Sequence, residues 1–79
     1  MSPDAVKALL NEKLMGCDIN VETNGGHYNV TVVGDIFEGK RPVQRQQLVY
    51  SALRDQIAAG DIHAVNMKTY TPQEWQQIP

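Results

Sequence analysis

Two histidines are the residues of this sequence best suited to metal chemistry. His27 follows the turn sequence "NGG" and His63 follows "GDI", so each stands beside the predicted end of a strand. Neutral imidazole is the commonest protein metal ligand. The alternating pattern gives His27 the same parity as Asn29 and Thr31, which predicts that its ring points away from the core. The competing interpretation is structural: a solvated turn histidine and a strand-end histidine bonded to the backbone.

The chain has too few ligands to enclose a metal centre by itself. It contains two histidines and one cysteine, whereas a structural zinc site and a [2Fe–2S] cluster each require four ligands. Cys17 comes just after a predicted helix C-terminus, where the helix dipole disfavours a thiolate, and we interpret it as a small packing residue. A metal centre here would therefore need ligands from a partner, and we expect none on the isolated chain.

Signatures of enzymatic catalysis are absent from the sequence. We find no phosphate-binding loop, no dinucleotide motif, no CxxC pair and no HExxH helix. Cys17 has no histidine nearby in sequence to act as its base. Asp35 and Glu38 share a glycine-bounded loop, an arrangement more typical of solvated surface than of an acid/base pair. We therefore expect that the protein is not an enzyme.

Three cations lie where a glycine turn leads into a helix. Lys40, Arg41 and Arg45 occur within "FEGKRPVQRQQLVY", although the net charge of the chain is −2. A helix N-terminus already attracts anions, so these cations indicate either an anionic partner, such as nucleic-acid phosphates or an acidic protein patch, or compensation by nearby acids such as Glu38. With seven cations against nine acids, any contact with nucleic acid must come from a local patch.

The elements that would position these residues follow from apolar periodicity. Ser2 can cap a helix that ends at Gly16, and the spacing then changes to the period-two pattern of two strands joined by residues 24–26. Residues 34–42, "GDIFEGKRP", form a loop with glycines at positions 34 and 39, and Pro42 suits the first turn of a helix. Helical spacing resumes after it and runs to Gly60, with a possible restart as a second helix near Tyr50 and Ser51. The predicted apolar stripe of this helix comprises Val43, Val49, Leu53 and Ile57.

A third strand and a short terminal turn complete the chain. In "IHAVNMKTY", Val65 and Met67 share one face, and Thr71, Pro72 and Glu74 form a capping box before Trp75. The element order α-β-β-α(α)-β predicts an α+β fold, with helices on one face of a three-stranded sheet.

Length and composition bound the class of protein. The 79 residues are 42% hydrophobic and 20% charged, which predicts a single domain over residues 1–79. The N-terminal segment has no signal-peptide pattern, and no apolar run approaches the roughly 18 residues of a membrane span. The lone cysteine favours a reducing compartment. We therefore expect a cytoplasmic protein without membrane association, as a monomer or a weak homodimer.

The segments "GGHYNVTVVGDIFEGKRPVQRQQLVYSAL" and "IHAVNMKTYTPQEW" resemble the BolA-like family, and most of all its short bacterial IbaG (YrbA) branch. The resemblance extends from about Val6 to Trp75. It implies a class II KH-like fold, in agreement with the predicted element order. It also implies association with a monothiol, CGFS-type glutaredoxin and a shared [2Fe–2S] cluster, for which the glutaredoxin cysteine and glutathione supply thiolates.

The same resemblance assigns candidate site residues. The histidine before the third strand matches His63, which is thereby the expected cluster ligand. Other branches place a histidine or cysteine in the loop between the first two strands; Asn24 stands about where one branch has its cysteine, so His27 is the nearest substitute for the second ligand. We therefore expect an iron–sulfur adaptor in cluster trafficking or stress sensing. The alternative that the family allows is a DNA-binding transcriptional regulator that uses Lys40, Arg41 and Arg45, which could also contact glutathione carboxylates.

Overall fold

The computed structural model describes residues 2–25, 27–62 and 64–78. Three helices and three strands follow one another in the predicted order, which confirms the α+β class. A short 3₁₀ helix, Asp35–Phe37, lies between β2 and α2. The principal elements are α1 (Pro3–Lys13), β1 (Asp18–Asn24), β2 (His27–Val33), α2 (Pro42–Ala58), β3 (Ala64–Tyr70) and α3 (Pro72–Gln76).

Helix α1 begins and ends as its sequence predicts. The Ser2 side chain accepts a hydrogen bond from the Ala5 backbone N–H at 3.1 Å, which satisfies one of the free donors of the first turn. Pro3 fits the first helical position because its missing N–H would have no partner there. After α1, Gly16 adopts a φ of 83°, a conformation that favours glycine.

The three strands form one mixed sheet in the order β1-β2-β3. Strand β2 pairs antiparallel with β1 and parallel with β3, because the hairpin reverses the chain whereas α2 carries it back before β3 begins. Tyr28, Val30 and Val32 are buried, while the residues between them are more exposed. The sheet therefore turns one apolar face to the helices, as predicted, and leaves its other face polar.

The core lies between that apolar face and helices α1 and α2. Helix α1 packs on β1, and α2 packs on both α1 and β3. Eight side chains are almost fully buried: Val6, Leu10, Val30, Val32, Phe37, Val49, Leu53 and Ile62.

Helix α2 differs from the prediction in two respects. It is one uninterrupted helix from Pro42 to Ala58, without a restart near Tyr50 and Ser51. Val43, predicted to lie on the apolar stripe, is 63% exposed. The buried face is instead centred on Val49, Ala52 and Leu53, and a rotation of 100° per residue places Val43 on the other side of the helix.

The predicted loop before α2 contains more structure than its glycines indicated. Its 3₁₀ turn buries Phe37 completely, and the turn is closed by a hydrogen bond from the Glu38 N–H to the Asp35 carbonyl at 3.0 Å. The loop is thus anchored to the core by its aromatic residue.

The terminal helix α3 has the predicted capping box. The Thr71 hydroxyl accepts from the Glu74 N–H at 3.2 Å, and the Glu74 carboxylate accepts from the Thr71 N–H at 2.8 Å. Trp75 packs against Tyr70 at the end of β3, with ring centroids 5.3 Å apart, yet it remains 47% exposed. The packing of Trp75 onto the domain is therefore partial.

Candidate functional site

His27 is the first residue of the central strand β2, and its side chain is exposed. Its Cα partners are Asn24 on β1 and Ala64 on β3, so all three strands meet at this end of the sheet. The two-residue hairpin loop is possible because Gly25 takes a φ of 59°. The predicted outward orientation of His27 is confirmed.

His63 lies outside the described residues, so its assignment as a ligand stays a prediction. The described residues on either side of it are Ile62, which is 1% exposed, and Ala64, the first residue of β3. Ala64 pairs directly with His27 in the parallel register. The candidate metal site therefore has one described histidine, and the strand that follows the other histidine begins beside it.

A polar surface extends from His27 along the outer face of the sheet. Asn66 donates from its side-chain nitrogen to the Asn29 side-chain oxygen at 3.1 Å, and these two residues are Cα partners across β2 and β3. This bond joins β2 and β3, the strands that begin with His27 and Ala64. It lies two residues further along each strand. It therefore helps to fix the register of the strands behind the candidate site.

Cys17 lies at the opposite end of the sheet. It precedes Asp18, which pairs with Val33, and Val33 lies six positions beyond His27 along β2, or about 20 Å at the rise of a strand. Burial raises the pKa of the Cys17 thiol, and the carboxylates of Asp18 and Asp35 raise it further. Cys17 packs against the core, as the sequence predicted, and it is too distant to share a metal with His27.

Within residues 2–25, 27–62 and 64–78, no three side chains of His, Cys, Asp or Glu are grouped so that they could hold a metal ion. In the same ranges, no helix is long and apolar enough to cross a bilayer.

The basic turn is the second candidate site, and two of its three cations are bound by the protein itself. The Lys40 ammonium donates to the Ile36 carbonyl at 2.7 Å, and Arg45 Nε donates to the Lys40 carbonyl at 2.9 Å. The Arg45 guanidinium also lies 6.0 Å from the centre of the Phe37 ring, a cation–π distance. These contacts hold the turn between the 3₁₀ helix and α2.

Arg45 is paired with an acid from the other end of the sequence. Its Nη1 and Nη2 donate to the two carboxylate oxygens of Glu74, at 2.6 and 3.4 Å. The Arg45 side chain is only 13% exposed, whereas that of Glu74 is 46% exposed. The hydrogen bond from Arg45, together with that from the Thr71 backbone, lowers the pKa of the Glu74 carboxyl. The charge of Arg45 is thus compensated by Glu74. For this cation, the expectation that Glu38 is the compensating acid is wrong.

Arg41 is the cation of the turn that remains available to a ligand. It is the N-cap residue of α2, and its backbone N–H donates to the Gln44 side chain at 3.0 Å; a guanidinium has no acceptor with which to cap the helix. Its side chain is exposed and forms no ion pair with a described residue. An open cleft of about 520 Å³ lies next to the turn, lined in part by Glu38, Lys40 and Gln44. One acid and one engaged cation give this cleft little net charge.

Sequence reasoning missed the Arg45–Glu74 ion pair and the Asn29–Asn66 amide pair. Their members are 29 and 37 residues apart, so no local spacing reveals them. The register of β2 with β3 could have indicated the second pair, because both asparagines occupy outward positions of predicted strands.

Comparison with known proteins gives a consistent result. A family model described as BolA-like protein matches residues 5–74. The acid stress protein IbaG of Escherichia coli strain K12 is 39% identical over 75 residues, which cover 95% of this chain and 89% of that protein. The DNA-binding transcriptional regulator BolA of Vibrio cholerae is 52% identical over 52 residues, which cover 66% of this chain and 48% of that protein.

The fold agrees with a solved structure as well. A BolA protein homologue from Coxiella burnetii superimposes with a TM-score of 0.84 at 32% sequence identity, covering 98% of this chain and 99% of that one. These matches and the order of helices and strands lead to the same conclusion: the chain belongs to the BolA-like family.

Proposed function

We propose that this protein is a non-enzymatic, cytoplasmic adaptor that pairs with a monothiol glutaredoxin and shares a [2Fe–2S] cluster with it. In this proposal His63 and His27 are the ligands from this chain, and the glutaredoxin cysteine and glutathione supply thiolates. The observation that carries the proposal is the pairing of His27 with Ala64, the residue that follows His63 in the sequence.

The pairing supports a common site for the two histidines. Neighbouring strands lie about 4.8 Å apart, so Ala64, the residue that follows His63 in the sequence, begins β3 directly beside His27. His27 is exposed, so its ring is accessible to a partner protein.

The donor set fits a shared cluster. A [2Fe–2S] cluster takes four ligands, and two imidazoles from this chain leave two positions for thiolates from the partner side. Cys17 is excluded as a third ligand by its place at the other end of the sheet and by its raised pKa. When bound, the cluster would supply a redox-active, transferable iron–sulfur group, while the histidines of this chain hold it at the boundary between the two proteins.

The test is anaerobic reconstitution of this protein with a monothiol glutaredoxin, glutathione, iron and sulfide, followed by size exclusion and visible circular dichroism. We expect a coloured heterodimer whose spectrum differs from that of the glutaredoxin homodimer. His63→Ala should abolish that difference and His27→Ala should alter it, whereas Asn20→Ala, an exposed change on β1, should leave it intact.

Two results would contradict the proposal. If the glutaredoxin homodimer elutes apart from a colourless partner, the adaptor function is wrong. If the heterodimer forms but gives the same spectrum with and without His63, the pairing stands and the ligand assignment is wrong.

DNA binding by the basic turn is the second candidate function. The exposed Arg41 side chain supports it, and so does the relative from Vibrio cholerae, which is named a DNA-binding transcriptional regulator. We expect modest affinity that falls steeply with salt, because few phosphates would be contacted. Arg41→Glu should remove this binding and preserve the fold, whereas Arg45→Glu would also disrupt the Glu74 pair. Binding that persists in Arg41→Glu would contradict a role for the turn.

A further inference from the structure

Asn24 is the direct neighbour of His27 in the sheet. The two residues are Cα partners at the end of the β1–β2 ladder, where the hairpin loop joins their strands. Directly opposed residues of an antiparallel pair project their side chains from the same face, with Cβ atoms about 4.5–5.5 Å apart. Both side chains are exposed. The structure therefore places an amide beside the imidazole of His27, at a separation that a hydrogen bond between the two side chains can bridge.

The other neighbours of His27 on β1 and β3 are less suitable hydrogen-bond acceptors. Its direct partner on β3 is Ala64, whose side chain is a methyl group. Glu22 shares the outer face of β1 with Asn24 by strand parity, but its Oε1 accepts from the Asn20 side-chain nitrogen at 3.4 Å. This contact directs the carboxylate along β1, away from His27.

The next outward residue of β2 is already engaged. The Asn29 side-chain oxygen accepts from Asn66 at 3.1 Å, so the part of this amide that remains is its nitrogen, which only donates. By contrast, no described residue forms a hydrogen bond with the Asn24 side chain. Its Oδ1 is therefore the side-chain acceptor that is both adjacent to His27 and uncommitted.

An imidazole that binds a metal needs such an acceptor. When one ring nitrogen is a ligand, the other N–H almost always donates to a carboxylate, a carbonyl or water, and this bond fixes the tautomer and the orientation of the ring. The side-chain carbonyl of asparagine has two lone pairs for this purpose. An exposed histidine without a fixed partner would have to be ordered at the moment of ligand binding, at an entropic cost.

We propose that Asn24 is a positioning residue for His27. Its Oδ1 accepts the ring N–H of His27 and thereby determines which ring nitrogen is free to bind the cluster. The consequence for the cluster rests on the proposed function, because His27 is a ligand only in that proposal. The hydrogen bond belongs to the isolated chain, so it can be tested without glutaredoxin or iron.

The first test is the state of the His27 ring in ¹⁵N-labelled full-length protein. Long-range ¹H–¹⁵N spectra at about pH 8.5 report the two ring nitrogens of neutral imidazole, since the ordinary pKa of histidine is about 6.5. Asn24→Leu keeps the approximate size and removes the acceptor, and should move these resonances toward those of histidine in an unstructured peptide. Asn24→Asp restores an acceptor and should keep the wild-type values. Asn11→Leu, at an exposed position of α1, is the control and should change nothing.

The second test is the lifetime of the shared cluster. In the reconstituted heterodimer, Asn24→Leu should lose its visible absorbance to excess chelator about tenfold faster than the wild type, as expected for loss of an outer-shell partner. Asn24→Asp should release the cluster at a rate near that of the wild type. Asn24 does not have a positive φ, so neither substitution strains the backbone, and amide dispersion verifies that each variant is folded.

Three outcomes would overturn the inference. The first is that the ring resonances of His27 are the same in Asn24→Leu and the wild type. The second is that Glu22→Gln moves them and Asn24→Leu does not, which would make the carboxylate the acceptor. The third is a shift of the resonances with no change in cluster release, which would deny the bond a positioning role. If the wild-type heterodimer does not form, the cluster proposal fails, whereas the spectra of the isolated chain still decide whether the hydrogen bond exists.

Discussion

Arg45 and Glu74 form a two-point ion pair that joins the first turn of α2 to the first turn of α3, with its shorter bond at 2.6 Å. Glu74 also closes the capping box of α3 through Thr71. One carboxylate therefore neutralises a cation at the start of α2. The same carboxylate stabilises the N-terminus of α3, where negative charge is favourable. The cations of the basic turn are thus partly structural.

Stability should depend on pH through Glu74. Its pKa is lowered in the folded state, so the ionised carboxylate stabilises the fold above the ordinary pKa of glutamate, and this contribution is lost as the pH falls through the lower folded-state value. Glu74→Gln should therefore reduce the free energy of unfolding at pH 7, and the reduction should be smaller at pH 3, below the ordinary pKa of glutamate. Urea unfolding at both pH values measures this. Glu12→Gln, an exposed change on α1, is the control, and an equal loss at both pH values would contradict the role of charge.

Phe37→Ala should destabilise the protein severely. Phe37 is fully buried, and truncation of such a residue costs about 3–5 kcal/mol, a large share of the roughly 5–15 kcal/mol that stabilises a typical domain. The neighbouring Ile36 is 36% exposed, so Ile36→Ala is a matched control with a much smaller expected loss. Denaturant midpoints compare the two variants, and similar losses would show that the 3₁₀ turn is not anchored by its aromatic residue.

Gly34→Ala should be destabilising because of Cys17. A Cβ at position 34 would overlap the Cys17 Sγ, and overpacking of this kind costs about 1–3 kcal/mol. The backbone of Gly34 is extended, with a φ of −169°, so the cost is steric rather than conformational. Cys17→Ala removes the sulfur and should restore most of the stability in the double variant. Additive losses in a double-mutant cycle would contradict this contact.

The Cys17 thiol should react slowly with iodoacetamide at pH 7. Burial and the carboxylates of Asp18 and Asp35 raise its pKa, and only the thiolate is nucleophilic. The alkylation rate of Cys17 should keep rising above the pH at which the rate of a thiol with an ordinary pKa becomes constant. Cys17→Ala should also leave the spectrum of the proposed shared cluster unchanged. Rapid alkylation at neutral pH, or a changed spectrum, would contradict a packing role.

Most of the fold was predictable because its signals are local. Alternation in residues 28–32 predicts which side of β2 is buried, and the Ser2 and Thr71 caps mark the starts of α1 and α3. The position of Val43 was not predictable in the same way. Its spacing suits an apolar stripe, but which side of α2 faces the core depends on how α1 and the sheet pack against it.

The candidate sites show the same division. The outward orientation of His27 follows from strand parity, whereas its proximity to Ala64 depends on a parallel register between strands separated by α2. For the basic turn, the sequence indicates three cations and does not indicate that Arg45 is engaged, because its partner Glu74 lies 29 residues away. Local patterns identify which residues can perform chemistry, and long-range packing decides which of them are available.

The mixed sheet has a consequence for the order in which the protein folds. The β1–β2 hairpin closes a two-residue loop, an event of about 1–10 μs in isolated hairpins, whereas β3 can pair with β2 only after the intervening helix has brought it back, at a greater entropic cost of loop closure. We expect the pairing of His27 with Ala64 to form late, and to be lost first if β3 detaches. Hydrogen exchange should therefore be faster for the amides of β3 than for those that join β1 to β2, which would make assembly of the candidate metal site one of the last steps of folding.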